Sequence, residues 1–485
     1  MEAEIRLRGS QYEELGRLLL TRRDVESKGF VLCGRAEGKR RTLLLGREVV
    51  PVPETAYAER SRTRVVTSEA FVGEILDRCE AEGLSLLEAH SHPWTEAPRF
   101  SGIDDASDTR KFRATKEIPP PFRHATAVFG RDLGFEARIY DPSRRRAIPV
   151  GALTVLEAPL RFRRPSGAPQ GSLSARQAAV FERQVRAFGE VGQAILGGLA
   201  VAVVGGGGLG SQIVQGLGLL GVGRLLLIDP DRLEASNANR QVLVTARQVR
   251  AGEGKVRALS RGLEALCPAV GGVAMEGDVR ERACWAHLLD ADIVVGAVDS
   301  HAVRHFVNAL CACALLPFVD AGVGVRAEGG RIAAAGGQVR TVVPGVTPCL
   351  ACLDKEAAER SLEEQTAEQH ALSERAGYIR GERIPAPQVA FLNGVVASAL
   401  VWEVVKLATG CLPTAPYVYY DLTQPAMWAV EEGERRDDCL VCSPAGLLGS
   451  GTDGILGLGT RGNGSPPPLP GRGGKETVDG YGRDT

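Results

Sequence analysis

"VAVVGGGGLGSQIVQGLGLLGVGRLLLIDPD", residues 201–231, reads strand, glycine loop, helix, strand, aspartate. The apolar run before Gly205 shows no polar alternation, which suits a strand buried on both faces. Gly205, Gly207 and Gly210 fit G-x-G-x-x-G. Missing side chains let phosphates approach the backbone, and the N-terminus of the next helix attracts them. Asp229 ends the second strand, where a carboxylate can hold ribose hydroxyls. Alone this pattern does not select a ligand, since NAD, FAD and ATP sites all use it.

Around this stretch, "LAVAVV" (199–204), "RLLLID" (224–229) and "DIVVGAVD" (292–299) are short apolar strands separated by helix-length segments. That pattern predicts a mostly parallel sheet covered by helices from about residue 176 to 442. "FLNGVVASALVWEVVKLATG" (391–410) is long enough to raise a membrane reading, but Asn393, Glu403 and Lys406 interrupt it. A buried core helix is the better reading. Residues 1–150 differ: "GFVLCG", "RTLLLGREVV", "LSLLEAHSH", "HATAVFG" and "FEARIYD" read as strands and 67–83 as an amphipathic helix, an α+β pattern. Residues 151–175, with "RFRRPSGAPQGS", read as a linker. From Ser443 to Thr485 the chain holds 13 glycines and 5 prolines. That stretch is expected to be a disordered tail, because it buries too little apolar surface to offset its ordering entropy.

The totals exclude several classes. A net charge of −1 over 485 residues gives no bulk attraction to nucleic acid or an anionic membrane. The N-terminus is charged throughout and lacks the apolar core of a signal peptide. Without a secretory signal, eleven cysteines read as free thiols or metal ligands in a reducing, cytoplasmic setting.

A second stretch carries chemistry. In "SLLEAHSHP" an apolar strand leads into His90 and His92, which project to one face because strand side chains alternate. Two imidazoles so placed can grip one Zn²⁺, and Asp104 could complete a three-ligand catalytic site with an open fourth position. A bare His-x-His pair is more often two surface histidines. The longer pattern, His-Ser-His-Pro-x7-Ser-x2-Asp over residues 90–104, resembles the signature of the JAMM (MPN/JAB) metalloproteases. "VESKGFVLCG" supplies that family's upstream glutamate as Glu26. The resemblance implies His90, His92 and Asp104 as ligands, Glu26 as general base, and Ser101 steadying the tetrahedral intermediate.

After the glycine loop, "DPDRLEASNANRQVL" (229–243) is not expected in a dehydrogenase. It resembles the D-x-D…S-N-x-N-R-Q segment of the ThiF/MoeB-type adenylating enzymes, which include the ubiquitin-activating enzymes. Gly252 to Lys255 supplies their G-x-x-K, "DIVVGAVDSHAVR" supplies Asp299 and Arg304, and "FERQVRAFGEVGQAIL" resembles their R-Q…F-G…G-Q helix. The resemblance implies ATP as substrate, Arg240, Lys255 and Arg183 as cations against developing phosphate charge, and Mg²⁺ on Asp231 and Asp299. It implies Asn237 and Gln241 as phosphate-orienting groups. It also implies a homodimer in which Arg183 reaches the partner's nucleotide.

Cys349/Cys352 and Cys439/Cys442 form two C-x2-C pairs. Such pairs make a tetrahedral zinc site, with a redox pair as the alternative. ThiF-type proteins often carry this structural zinc. Members that form a thioester carry a cysteine between the first pair and the long helix, and this chain has none there. Cys311 and Cys313 read as buried apolar groups, leaving Cys411 as the least implausible substitute.

The expected fold is therefore an N-terminal α+β JAMM-like domain followed by a Rossmann-like ThiF-type domain. The expected function is adenylation of the C-terminus of a ubiquitin-like protein, with cleavage of peptide or isopeptide bonds of the same protein. A conjugating enzyme or sulfur donor would take the product. Activation of a sulfur carrier for cofactor synthesis, or a nucleotide-sensing scaffold, are the alternatives.

Overall fold

The computed structural model describes residues 2–114, 124–141, 146–168, 173–353, 388–421, 423–424, 426–430 and 433–460. The N-terminal half contains β1 (Glu2–Arg8), α1 (Gly9–Leu20), β2 (Lys28–Glu37), β3 (Arg41–Pro51), β4 (Tyr57–Arg60), β5 (Val65–Thr67), α2 (Glu69–Glu82), β6 (Ser85–His92), α3 (Gly102–Ala114), β7 (His124–Gly130), β8 (Phe135–Asp141), β9 (Arg146–Leu156) and β10 (Arg161–Arg163). Its main sheet runs β1-β3-β2-β6-β7-β8-β9-β10, and β1 also pairs with β9, which closes the sheet on itself. Phe30, Phe129 and Phe135 are fully buried in this half. Each such ring stabilises the fold by roughly 1.5–3 kcal/mol. Helix α2 starts at Ser68, whose side chain accepts the Phe71 N–H, and stops at left-handed Gly83. Ile75 and Cys79 on its buried face pack with Phe30, Leu32 and Leu86.

The C-terminal half begins with α4 (Ala175–Val180), α5 (Glu182–Gly198), β11 (Ala200–Val204), α6 (Gly208–Leu219), β12 (Arg224–Ile228), α7 (Ala246–Arg250), α8 (Lys255–Leu266), β13 (Gly271–Met275), α9 (Arg282–Leu288), β14 (Ile293–Gly296) and α10 (His301–Cys313). It continues with β15 (Phe318–Glu328), β16 (Arg331–Val342), α11 (Leu350–Leu353), α12 (Ala390–Thr409), β17 (Tyr417–Asp421), β18 (Ala426–Ala429) and α13 (Gly451–Thr460). Its sheet order is β13-β12-β11-β14-β15-β16-β17-β18. The first five strands are parallel, and β16, β17 and β18 join antiparallel. The mostly parallel expectation thus describes only part of the sheet. Helix α12 is long and apolar enough to cross a membrane, yet it lies against α5, α6 and the sheet with Leu392, Val396 and Leu400 buried. Its Lys406 and Glu403 pair at 2.6 Å, which lets both charges sit inside.

Two boundaries differ from the sequence reading. The stretch read as a linker from 151 holds the end of β9 and all of β10, which extend the first sheet. Their alternation is obscured in the sequence by Arg161 and Arg163, which are half-buried. The stretch read as a disordered tail from Ser443 is ordered through Thr460: Leu448 and Ile455 are buried, and α13 packs against α10 and β2. Residues 461–485 lie outside the described residues, as does most of the cysteine-free crossover.

The halves share one core. Ala36, Leu43, Leu45, Leu156 and Leu160 cluster with Val201, Leu226, Val294 and Leu310. Charges are buried at the same seam. Arg6, 1% exposed, donates to the Glu4 carboxylate at 2.9 Å and to the carbonyl of Ala291 at 2.9 Å. Arg41 pairs with Asp292 at 2.6 Å, and the Asp290 carboxylate accepts the backbone N–H groups of Arg40 and Arg41. A buried charge is tolerated only when its hydrogen bonds are filled.

Candidate functional sites

Strand β11 runs into the glycine loop. Gly205 has φ 102°, and a Cβ there would lie 2.5 Å from the carbonyl oxygen of Ala297. A Cβ on Gly210 would lie 1.9 Å from the Gly205 carbonyl oxygen, so both positions demand glycine. Gly207, in contrast, faces open space. The Asp229 carboxylate accepts the N–H of Gly206 at 2.6 Å and of Asp231 at 2.7 Å. Burial pushes its carboxyl up, and the Gly206 N–H opposes that. Gln241 is buried and donates to the Gly206 carbonyl at 2.5 Å. Lys255, first residue of α8, holds Asp231 at 2.8 Å and donates its backbone N–H to the Asp231 carbonyl at 2.9 Å. Aspartate, lysine and glycine loop thereby converge on one edge of the parallel strands, at their carboxyl ends, where ligands bind in such sheets.

The remaining sequence-predicted residues fall around this point with different engagement. Asn237 accepts the Glu234 N–H in a local cap. Arg240 bonds the Ser236 carbonyl and Asn239. Asp299 is exposed just beyond β14, and Arg183 is exposed on α5. The half-buried Arg304 pairs with Asp320 at 2.8 Å and donates to the Val298 carbonyl, so it shapes the loop beside Asp299.

The second site is built on β6. His90 and His92 lie on the same face with ring centroids 5.1 Å apart. Asp104, at the start of α3, brings Oδ1 to 3.2 Å from His90 Nε2 and Oδ2 to 3.9 Å from His92 Nε2. The Ser101 hydroxyl and N–H both donate to Asp104 at 2.7 Å. Glu26 Oε1 stands 3.5 Å from His92 Nε2. Burial, with the Asp104 charge second, pushes Glu26 up to about 8. Burial, with His90 second, pushes His92 down to about 4. Burial works against ionised Asp104, but His90 and Ser101 hold its carboxyl well below the usual range. Buried His90 Nε2 has no partner of hydrogen-bond geometry among the described residues. One ligand atom from each of His90, His92 and Asp104 falls within 4.8 Å of the others. An imidazole nitrogen that faces a second imidazole and stands 3.2 Å from a carboxylate without a well-aligned hydrogen bond fits a divalent metal with a mixed N/O donor set. A cavity of about 320 Å³, lined by Glu26, His90, Asp104, Val65 and Ile103 among others, opens beside it.

Sequence reasoning missed what holds Glu26. The Ser27 carbonyl accepts the N–H of Ser91, which lies between the histidines, and Ser27 donates its own N–H to the Ser91 hydroxyl. On the other side, the Glu26 N–H bonds the Ser61 carbonyl at 2.9 Å, and Arg60 donates to the Glu26 carbonyl at 3.2 Å and the Ser27 hydroxyl at 2.5 Å. The guanidinium lies over the Tyr57 ring, and the Tyr57 hydroxyl bonds both N–H and carbonyl of Lys28. No local pattern marks Arg60, because it comes from a separate hairpin. Trp94 stacks on His92 with centroids 5.3 Å apart, and its position two residues on was the available signal.

The four paired cysteines meet across 90 residues of chain. Their Sγ separations are 3.7 Å for Cys349–Cys439, 3.3 Å for Cys352–Cys442 and 3.9 Å for Cys349–Cys352. A tetrahedron with sulfurs about 2.3 Å from an ion sets them about 3.8 Å apart. The donor set and spacing fit a metal. Of the other cysteines, Cys411 is exposed, whereas Cys33, Cys79, Cys284, Cys311 and Cys313 are buried.

A strand–glycine loop–helix unit with an aspartate at the second strand's end, on a parallel sheet, places the C-terminal half among the Rossmann-like α/β folds. The chain belongs to the ThiF family, whose model matches residues 181–441. It is 30% identical over 311 residues to the mouse adenylyltransferase and sulfurtransferase MOCS3, covering 63% of this chain and 62% of that protein. It is 33% identical over 190 residues to the SAMP-activating enzyme E1 of Haloferax volcanii, covering 39% of this chain and 66% of that protein. The chain thus spans just under two thirds of these two relatives. A crystal structure of Escherichia coli MccB with ATP matches with a TM-score of 0.45 at 20% identity, covering 57% of this chain and 76% of that one.

Proposed function

We propose that the C-terminal half adenylates the C-terminal carboxylate of a ubiquitin-like or sulfur-carrier protein. The Lys255–Asp231 pair beneath an open glycine loop carries this reading. One carboxylate oxygen attacks the α-phosphorus of ATP, the bond to the β-phosphate oxygen breaks, and pyrophosphate leaves. Lys255 and Arg240 offset the charge on the phosphates, and the loop N–H groups hold them. Asp229 holds the ribose. Asp231 and Asp299 would hold Mg²⁺, which would supply positive charge against the phosphates. Arg183, exposed on α5, would complete a second copy's site in a homodimer. Ligation by four thiolates suits zinc and a reducing, cytoplasmic setting.

The N-terminal half is proposed as a JAMM-like zinc peptidase acting on the same carrier. The 3.5 Å approach of Glu26 to His92, beside three convergent ligands, supports this. Zinc there would supply an activated water nucleophile. Glu26 would accept that proton at Oε1 and pass it to the leaving amine, and the Ser101 hydroxyl, which donates to Asp104 Oδ2, would turn to donate toward the developing oxyanion. The test is ATP–pyrophosphate exchange with a ubiquitin-like protein ending in two glycines, together with zinc-dependent cleavage of that protein fused to a peptide. Exchange that needs the carrier supports the first half of the proposal and cleavage lost in Glu26→Gln the second. The absence of either removes that half. Light scattering that finds an active monomer would remove the dimer.

A further inference from the structure

Leaving the fourth cysteine, the chain does not depart into solvent. Ser443 donates its N–H to the Cys439 carbonyl at 3.2 Å, and Leu447 to the Leu440 carbonyl at 3.1 Å, so the cysteine knuckle and the segment from Ser443 to Leu447 are one hydrogen-bonded unit. Arg47 of β3 then donates to the Pro444 carbonyl at 3.1 Å. Gly449 donates to the Ala312 carbonyl of α10 at 2.9 Å. Gly451 bridges to Arg35 of β2 in parallel register. The Glu37 N–H reaches the Thr452 hydroxyl at 3.2 Å, and Arg35 reaches Asp453 at 3.3 Å.

The fit is backbone against backbone. A Cβ on Gly451 would stand 1.9 Å from the Arg35 carbonyl oxygen, and one on Gly34 would stand 1.9 Å from the Gly449 carbonyl oxygen. Gly449 and Gly451 have φ of 68° and 72°, which glycine alone adopts without strain. A Cβ on Gly454 would meet Cys313 Sγ at 3.1 Å. Leu448 is 3% and Ile455 2% exposed, and both join the core shared by the two halves.

We infer that the four-cysteine site latches the seam between the halves: metal held by Cys349, Cys352, Cys439 and Cys442 fixes the start of a strap, residues 443–460, wedged between β2 of the N-terminal half and α10 of the C-terminal half. Two buried aliphatic side chains and these few hydrogen bonds are a small gain against the ordering entropy of a glycine-rich segment of this length. The strap needs a fixed end, and the metal-bound knuckle provides it. The inference rests on the proposed metal at the four cysteines and on neither proposed activity. It also links the two events reciprocally: if metal binding favours strap docking, loss of docking must weaken metal binding by the same factor.

The test titrates the full chain with Co²⁺ and follows the thiolate-to-cobalt charge-transfer band. That band reports this site alone, because the histidine–aspartate site has no sulfur. Gly451→Val and Ile455→Asp alter the strap without touching a ligand. Both are expected to lower cobalt affinity at least tenfold and to raise amide hydrogen exchange at Cys33–Glu37 and Ala312–Leu315, with β11 and β12 still protected. Affinity equal to wild type in either folded variant overturns the latch while leaving the metal site intact. No thiolate band in the wild-type chain overturns the metal site and the latch together. If Gly451→Val unfolds β11 and β12 as well, Ile455→Asp decides.

Discussion

Glu26 Oε1 and His92 Nε2 stand 3.5 Å apart, which faces a carboxyl raised to about 8 with an imidazole lowered to about 4. Burial is the main cause of both shifts. A neutral imidazole is the ligand form, and a carboxylate with raised proton affinity is a competent base. Glu26→Gln is therefore expected to retain the zinc of wild type, measured as metal per chain. It should reduce cleavage of the carrier fusion by roughly 10²–10⁴-fold. Cleavage at the wild-type rate would show that the proton goes elsewhere.

Arg60 tests whether Glu26 must be held. It touches the Glu26 carbonyl and Ser27 but none of the three ligands. Arg60→Ala is expected to slow cleavage about tenfold or more, as loss of supporting shells around metal sites does. Zinc affinity should stay near wild type, and Arg60→Lys should recover part of the rate because one cation can still reach one acceptor. Equal rates in all three proteins would make the hairpin mere packing.

At the nucleotide site, Lys255→Ala is expected to lower ATP–pyrophosphate exchange by about 10²–10³-fold, the usual loss for one preorganised charge-stabilising group. Cys411→Ala should exchange like wild type, because adenylation itself needs no thiol. Cys411 is the one exposed cysteine among the described residues. A carrier adduct on this chain, seen on a non-reducing gel and released by thiol, would contradict a product that stops at the acyl adenylate.

The pair of half-buried Arg304 and buried Asp320, 2.8 Å apart, makes a stability prediction. Burial raises Asp320 to about 6, and Arg304 opposes it. Arg304→Met leaves buried Asp320 without its ion-pair partner and should destabilise the fold by about 3–5 kcal/mol at pH 7.5. The folded pKa lies above the unfolded one, so the stability linked to this proton is complete below about pH 4. It is lost as pH rises through about 6. In Arg304→Met that window moves up, so denaturant melts should show a smaller deficit at pH 5 than at pH 7.5.

The residues proposed to touch substrate or metal were legible because they sit in short patterns tied to local geometry. His90 and His92 share a strand face, Asp104 lies in the first turn of a helix, and Gly205 and Gly210 are forced by backbone contacts under 3 Å. What escaped is non-local. Arg60 reaches Glu26 from another hairpin. β1, charged in sequence, is buried because Glu4 and Arg6 on the same strand neutralise each other while Arg6 also reaches the Ala291 carbonyl across the seam. The strap was read as disordered from its glycines, yet those glycines are what lets its backbone touch Arg35 and α10. Composition reports the entropy a segment must lose, and only the fold reveals what it gains.

The central claim, adenylation of a carrier's C-terminus on the glycine loop, is tested most directly by ATP–pyrophosphate exchange with Mg²⁺ and a ubiquitin-like protein ending in two glycines. Exchange is predicted to require the carrier, to vanish when its last glycine is deleted, and to fall about 10²–10³-fold in Lys255→Ala. Exchange that is no greater with the carrier than without it, or that survives Lys255→Ala undiminished, would contradict the claim.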